Sequence, residues 1–353
     1  MKRDTAWQPA RSRRTFLKDA ATLLGIGAAA QLPGGRAWAQ ALSQPAQAPK
    51  KGSTVVLLGT QGGPSINLRR NETASALIVD GVPYLVDCGY GTLKALVRSG
   101  IGYIDLATIF LTHLHDDHTA DIAALLTHQW TGRRTKPTDL YGPYGTAALV
   151  KGALEFFKAN TEIRIVDEGR TVRPETLFHG HDLPATAKPK KAYEDARIRV
   201  MTAENTHFPE RAKAKMPYRS LAYRFDTAYR SIVFAGDTAY SKNVVGLARN
   251  ADVFICEAMD VAQHDRLVQR AKRAAETGAS DAMILRHVVD THSTTEVVGR
   301  MAAEANVKLV VLNHLLPGSN GPLSREVPDT TYIAGVHKYY HGEVIVGRDY
   351  MRI

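Results

Sequence analysis

Apolar positions along this 353-residue chain fall into short runs, most of them four to six residues long. The runs Val55 to Gly59, Ala76 to Val79, Tyr84 to Val86 and Leu106 to Leu111 read as strands, the middle two joined through the hairpin turn signal Asp80-Gly81. Further strands are predicted at Leu140 to Gly142, Ile198 to Thr202, Leu221 to Phe225, Ile232 to Ala235, Val253 to Cys256 and Lys308 to Leu312. Between them, helical spacing predicts helices over Thr92 to Arg98, from about Asp121, over Thr146 to Lys158 with Leu149, Ala153, Phe156 and Phe157 on one face, over Val261 to Glu276, over Thr294 to Ala305 and over Tyr332 to Tyr340. A capping box of Ser293 and Glu296 is expected to start the Thr294 helix just after His292. Residues 167–195 mix Pro, Gly, Lys and Asp without period and read as loops and irregular strands. Strands feeding helices along the whole length predict an α/β sandwich in one domain.

The first forty residues follow a different rule. Ser12-Arg13-Arg14-Thr15-Phe16-Leu17-Lys18, the weakly apolar Ala20 to Ala30, and Ala37-Trp38-Ala39 resemble a twin-arginine (Tat) export signal with its cleavage site. The expected organisation is therefore a signal peptide over 1–39, a disordered Ala/Gln/Pro tether over 40–51 and a catalytic domain over 52–353, exported by the Tat machinery to the periplasm. No apolar run downstream reaches the 18 residues that suggest a membrane span. Residues 1–39 carry seven Lys and Arg against two Asp, so about half of the net charge of +10 leaves with them. A mildly basic remainder gives no support for nucleic acid as a partner. Cys88 and Cys256 each follow an apolar run and read as small core residues, not as a bridge.

Chemistry is concentrated in Thr112-His113-Leu114-His115-Asp116-Asp117-His118, where the Leu106 to Leu111 strand gives way to a helix. Three imidazoles and two carboxylates at a strand end point to a metal site. Three more candidates leave apolar strands in the same way: His207 in Asn-Thr-His-Phe-Pro, Asp237 in Phe-Ala-Gly-Asp-Thr and His314 in Leu-Asn-His-Leu-Leu. The glycine-rich turn Thr60 to Pro64 has no following Lys-Ser/Thr, which excludes a P-loop.

This series of a Thr-His-x-His-x-Asp-His heptad, a lone His, Gly-Asp-Thr and a final His resembles the metallo-β-lactamase superfamily, from Val55 onward. The resemblance implies an αβ/βα four-layer sandwich with two zinc ions along the edge between its sheets. It assigns His113, His115 and His207 to one ion, Asp117, His118 and His314 to the other, and Asp237 as the bridge. Mn²⁺ and Fe²⁺ suit the same donor types. Thr291-His292-Ser293-Thr294 and the final His resemble the ribonuclease Z-like and arylsulfatase-like branch. The opening Leu58 to Pro64 and Trp130 look closer to the arylsulfatase-like group, and no long glycine-proline-rich arm of the ribonuclease Z kind is evident. The expectation is thus an exported dinuclear zinc hydrolase of a small anionic ester, an aryl sulfate or phosphodiester, acting through a hydroxide that bridges the ions. Cleavage of a lactone or carboxylic ester, or zinc binding without catalysis, are the alternative readings. Asp117 is expected to orient that hydroxide and His292 to protonate or stabilise the leaving oxygen. Trp130, Arg133 and Arg134 are expected to contact substrate, with Arg211, Lys213 and Lys215 as further cations near the site. His179 and His181 read as loop residues without carboxylate partners, and His287 has no assigned role.

Overall fold

The computed structural model describes residues 51–316 and 327–353. The expected signal peptide and nearly all of the expected tether lie outside the described residues. Two mixed sheets organise the rest. The first has the order β1 (Ser53–Gly59), β2 (Ala74–Val79), β3 (Val82–Val86), β4 (Thr108–Phe110), β5 (Thr138–Gly142), β6 (Phe178–Asp182). The second contains β7 (Lys190–Glu194), β8 (Ile198–Glu204), β9 (Leu221–Thr227), β10 (Ser231–Phe234), β11 (Val253–Met259), β12 (Leu309–Leu316) and β13 (Glu343–Val346), again adjacent in chain order. Each sheet joins an antiparallel part to a parallel part: β1, β2 and β3 pair antiparallel and β3 to β6 parallel, while β7 to β10 pair antiparallel and β10 to β13 parallel. The Asp80-Gly81 hairpin is as expected, with both residues at positive φ as a two-residue turn of the primed type requires.

Three buried clusters define the layers. One joins inward-facing residues of both sheets, Val55, Leu77 and Phe110 from the first with Val200, Phe225, Ile255 and Val311 from the second. Phe110, fully buried, meets Phe225 edge-on at 5.1 Å and Tyr223 at 5.5 Å. The outer face of the first sheet packs on helices that contribute Leu96, Leu125, Trp130 and Val150. The outer face of the second packs on helices that contribute Val244, Leu247, Val298, Met301 and Val336. Helix, sheet, sheet, helix is the four-layer αβ/βα sandwich expected from the sequence. Cys88 and Cys256 are both buried and free, one in each outer core cluster. Among the described residues no helix is long and apolar enough to cross a membrane.

Several elements differ from the sequence reading. The helix from Thr146 ends at Phe156 and a second one, Lys158–Glu168, follows; Phe157 between them is buried and Phe156 is exposed, so the two do not share a face. Part of the stretch read as irregular forms β6 and β7. Here sheet pairing, with Asp139 opposite His179, imposes a strand that composition does not announce. A helix not foreseen, Ala282–Thr291, packs beside Val261–Thr277. The helix after His292 is capped by Thr294, whose side chain accepts from Val297 N, one residue later than the expected box. Ser293 is instead buried and donates to the Thr238 carbonyl at 2.5 Å.

Candidate metal centre

The heptad leaves β4 under the control of one buried carboxylate. Asp87, at the end of β3 with φ 60°, accepts from Thr112 N at 2.8 Å and from Thr112 Oγ1 at 2.9 Å, and its Oδ2 lies 2.9 Å from His118 Nδ1. The His118 ring thus donates through Nδ1 and turns Nε2 toward the site. His115 then caps a single helical turn, Asp116–Thr119, so that Asp117 and His118 point inward and both are buried. Gly89 makes this approach possible, because a Cβ there would stand 2.1 Å from the Asp117 carbonyl.

Three ring nitrogens converge on one side. His113 Nε2 is 3.0 Å and His207 Nε2 is 3.2 Å from His115 Nδ1. A tetrahedral ion with bonds of about 2.0–2.1 Å separates its nitrogen ligands by roughly 3.3 Å, so this spacing suits one ion. Two of the outer nitrogens are fixed: His113 Nδ1 is 3.1 Å from Thr112 Oγ1 and His207 Nδ1 is 3.4 Å from the Thr291 carbonyl. Burial lowers the pKa of His113 and of His207 well below the ordinary value, and that of His115 less steeply, so this set is neutral and ready to ligate.

The other side is rich in carboxylate. Asp117, His118, Asp237 and His314 are all buried and offer ligand atoms within 4.8 Å of one another. Asp237 follows Gly236, whose φ of 63° turns the chain sharply after β10. Its Oδ2 stands 3.1 Å from His314 Nε2, 3.4 Å from His118 Nε2 and 4.0 Å from His113 Nε2. It therefore lies between the two sets. His314 is delivered by a break in register: Glu257 pairs with Asn313 and Ala258 with Leu315, leaving His314 as a bulge residue at φ 40°. Such a bulge re-aims a side chain at a cost of roughly 1–3 kcal/mol in backbone strain. Burial alone would lower His118 and His314, yet the surrounding Asp carboxylates carry His118 well above its ordinary value and His314 to about 10. Burial alone would likewise raise Asp117, but the His118 and His314 rings bring it down to about 2.

Above the two sets sits a pair that the sequence half disclosed. His292 Nδ1 lies 2.6 Å from Glu257 Oε2, and its ring stacks on His314 at 5.7 Å and 9° and faces His207 at 5.1 Å. Glu257 is buried at 2% exposure, accepts from Thr238 N at 2.5 Å, and raises the His292 pKa against the opposing effect of burial. His287, on the unforeseen helix, brings its ring within 5.2 Å of His207 and 5.9 Å of His115. The glycine-rich turn, empty of phosphate chemistry, packs on the same site, with Gly63 N 3.3 Å from His314 Nε2.

Sequence reasoning missed Asp87, Glu257 and His287. Glu257 carried a signal, a charged residue within a strand whose seven residues are all buried. The substrate contacts expected after the first helix are not at this site. Trp130 stands at the far end of the ten-residue helix Ile122–Thr131, is 2% exposed, donates from Nε1 to the Val172 carbonyl at 2.9 Å, and is covered by the Arg170 guanidinium at 4.6 Å. Arg134 is buried and donates to the Ile104 and Pro137 carbonyls. With Arg133 they line a separate cavity, because a ten-residue helix carries the chain about 15 Å from the metal loop. Arg211 and Lys213 are spoken for by Asp290 at 3.1 Å and Glu204 at 2.8 Å. His181 does have a carboxylate partner, Asp139 at 2.7 Å across the β5–β6 pair.

Three site atoms are buried with no hydrogen-bond partner: His314 Nδ1, and the pair His118 Nε2 and Asp237 Oδ1. Leaving such an atom unsatisfied costs about 1–3 kcal/mol, and a cation between the pair satisfies both of its atoms. Nitrogen and carboxylate donors in two sets joined by Asp237 therefore fit divalent metal.

The family described as beta-lactamase superfamily domain matches residues 83–315. A ribonuclease Z from Mycobacterium sp. (strain KMS) is 29% identical over 267 residues, covering 74% of this chain and 84% of that protein. Among solved structures, human tRNase Z, short form, superposes with a TM-score of 0.57 at 23% identity over 85% of this chain and 98% of its own. A metallo-beta-lactamase fold protein from Bacillus subtilis gives 0.58 at 19% over 85% and 98%. These relatives overturn the expectation of a small anionic ester as substrate with no nucleic acid involved. That expectation rested on the lack of a glycine-proline-rich arm, on the export signal and on net charge, and net charge averages over the whole surface and says little about a partner recognised at one metal-lined cleft. With a family match over most of the described residues and a buried His/Asp cluster built for divalent ions, the chain belongs to the beta-lactamase superfamily and is a metal-dependent hydrolase of ester bonds.

Proposed function

We propose that this protein is a dinuclear zinc phosphodiesterase of the ribonuclease Z-like kind, cleaving the phosphodiester of an RNA strand. The observation that carries the reading is the place of Asp237, within 4.0 Å of ring nitrogens from both sets, where one carboxylate could serve two ions. His113, His115 and His207 would hold the first ion, and Asp117, His118 and His314 the second. When bound, the ions supply Lewis-acid polarisation of the phosphoryl oxygens and lower the pKa of water toward about 7.

The chain's own residues do the rest. Asp117 and Asp237 present fixed carboxylate oxygens that accept hydrogen bonds and orient the attacking water. Asp87 and the Thr291 carbonyl lock the tautomers of His118 and His207, so the ligand nitrogens need no reorganisation. Glu257 favours the protonated form of His292 against the effect of burial, which makes His292 the group to give a proton to the departing ester oxygen. The twin-arginine start supports export and action in the periplasm.

The test is hydrolysis of bis(4-nitrophenyl) phosphate and of an RNA bearing a 3′ extension by the zinc-loaded protein. Cleavage of both is expected, with His292→Ala slowing poor leaving groups more than good ones. Equal losses across a leaving-group series would remove His292 from the acid role; cleavage of neither substrate would overturn the reading.

A further inference from the structure

Beside the histidine set opens a cavity of about 590 Å³ whose walls include His115, Phe208, Met216, Tyr218, Met283 and His287. Its volume lies in the range of about 300–1,000 Å³ usual for small-ligand pockets. The floor is Phe208, buried, its ring 5.4 Å from His115 and 4.9 Å from His207. One residue thus separates the cavity from the metal ligands, and His115 itself belongs to both. The rim is soft and apolar: two thioethers and a phenol, with Met283 and Tyr218 well exposed. The cation in the wall, Arg211, is compensated by Asp290 at 3.1 Å. Nothing in this lining recruits a second phosphate, and everything in it suits the face of a flat ring.

We propose that this cavity holds a planar aromatic substituent of the scissile ester, so that substrate choice is made by Met216, Met283 and Tyr218 over a Phe208 floor. The inference rests on the phosphodiesterase reading for the word scissile, and deepens it by naming what the ester carries. His115 lines the cavity, so a substrate held by its phosphoryl oxygens at the ions could direct one substituent past His115 into it. A nucleobase and an aryl group offer the same ring face, and stacking of a base on such a surface strengthens binding by about tenfold.

The experiment is equilibrium binding to the purified, zinc-loaded full chain, read by ligand-observed NMR without turnover. Adenosine 5′-monophosphate is compared with ribose 5-phosphate, and phenyl phosphate with methyl phosphate. A preference of about tenfold for the ring-bearing member is expected in the nucleotide pair. Its appearance in both pairs identifies a flat ring in general, and in the nucleotide pair alone a base. Met216→Ser with Met283→Ser should abolish the preference while leaving ribose 5-phosphate affinity and the thermal midpoint unchanged. Equal affinities within both pairs, or a preference that survives the double substitution, would overturn the proposal. A preference without diester cleavage defeats the phosphodiesterase reading and leaves the ring pocket standing. Cleavage without a preference does the reverse.

Discussion

The two halves of the metal centre are built from different materials. His113, His115 and His207 face one another with neutral rings, each pushed to low pKa by burial. Asp117, His118, Asp237 and His314 form buried imidazole–carboxylate pairs that hold protons tightly in the metal-free protein. The first half is ready for an ion; the second must exchange protons for one. The difference is one of charge, and Asp237, with its Oδ2 within 4.0 Å of ring nitrogens from both halves, joins them.

The largest effect is expected from Asp237→Ala, which removes the shared carboxylate and leaves His118 and His314 without their nearest anion. Diester hydrolysis should fall by at least about a thousandfold, as loss of a principal electrostatic element does. Residual activity within tenfold of the parent would break the coupling of the halves. His292→Ala should cost about 10²–10⁴-fold in kcat if it acts as the acid. Glu257→Gln should reproduce part of that loss and shift the alkaline limb of the pH profile downward, because the charge that holds the His292 proton is gone.

A pH titration of the metal-stripped protein sharpens the comparison. The depressed Asp117 contributes stability that is present above its unfolded value of about 4 and is lost as pH falls through about 2. The raised His314 contributes stability that is full below about 6.5 and is lost as pH rises through about 10. The thermal midpoint should therefore be highest between about pH 4 and 6.5 and decline on both sides. In His314→Ala the alkaline decline should flatten; a profile identical to the parent would show that the proton is held elsewhere. The smallest effect belongs to Arg133→Ala, an exposed side chain at the other end of the helix, with kcat/KM expected within twofold of the parent.

How much of this was legible follows from sequence separation. The heptad and the histidines and aspartate that leave strand ends announce themselves locally, since each is a polar residue breaking an apolar run. The α/β sandwich was readable because short apolar runs alternate with helical ones, and its four layers followed from the family resemblance. Asp87 was not, because its work is done 25 residues away on Thr112, and only the sheet brings them together. Glu257 was hidden in a strand that the apolar pattern seemed to end at Cys256, whereas β11 continues to Met259 with the carboxylate inside. The Trp130 assignment failed for the converse reason. Trp130 follows His118 closely in sequence, but the helix Ile122–Thr131 carries it away from the metal loop.

The central claim is that two ions, joined by Asp237, are needed for ester cleavage. Stepwise addition of zinc to the metal-free protein, with bis(4-nitrophenyl) phosphate hydrolysis followed at each step, tests it most directly. The account predicts little activity at one equivalent and a plateau reached at two. Full activity at one equivalent, or none after two, would contradict it.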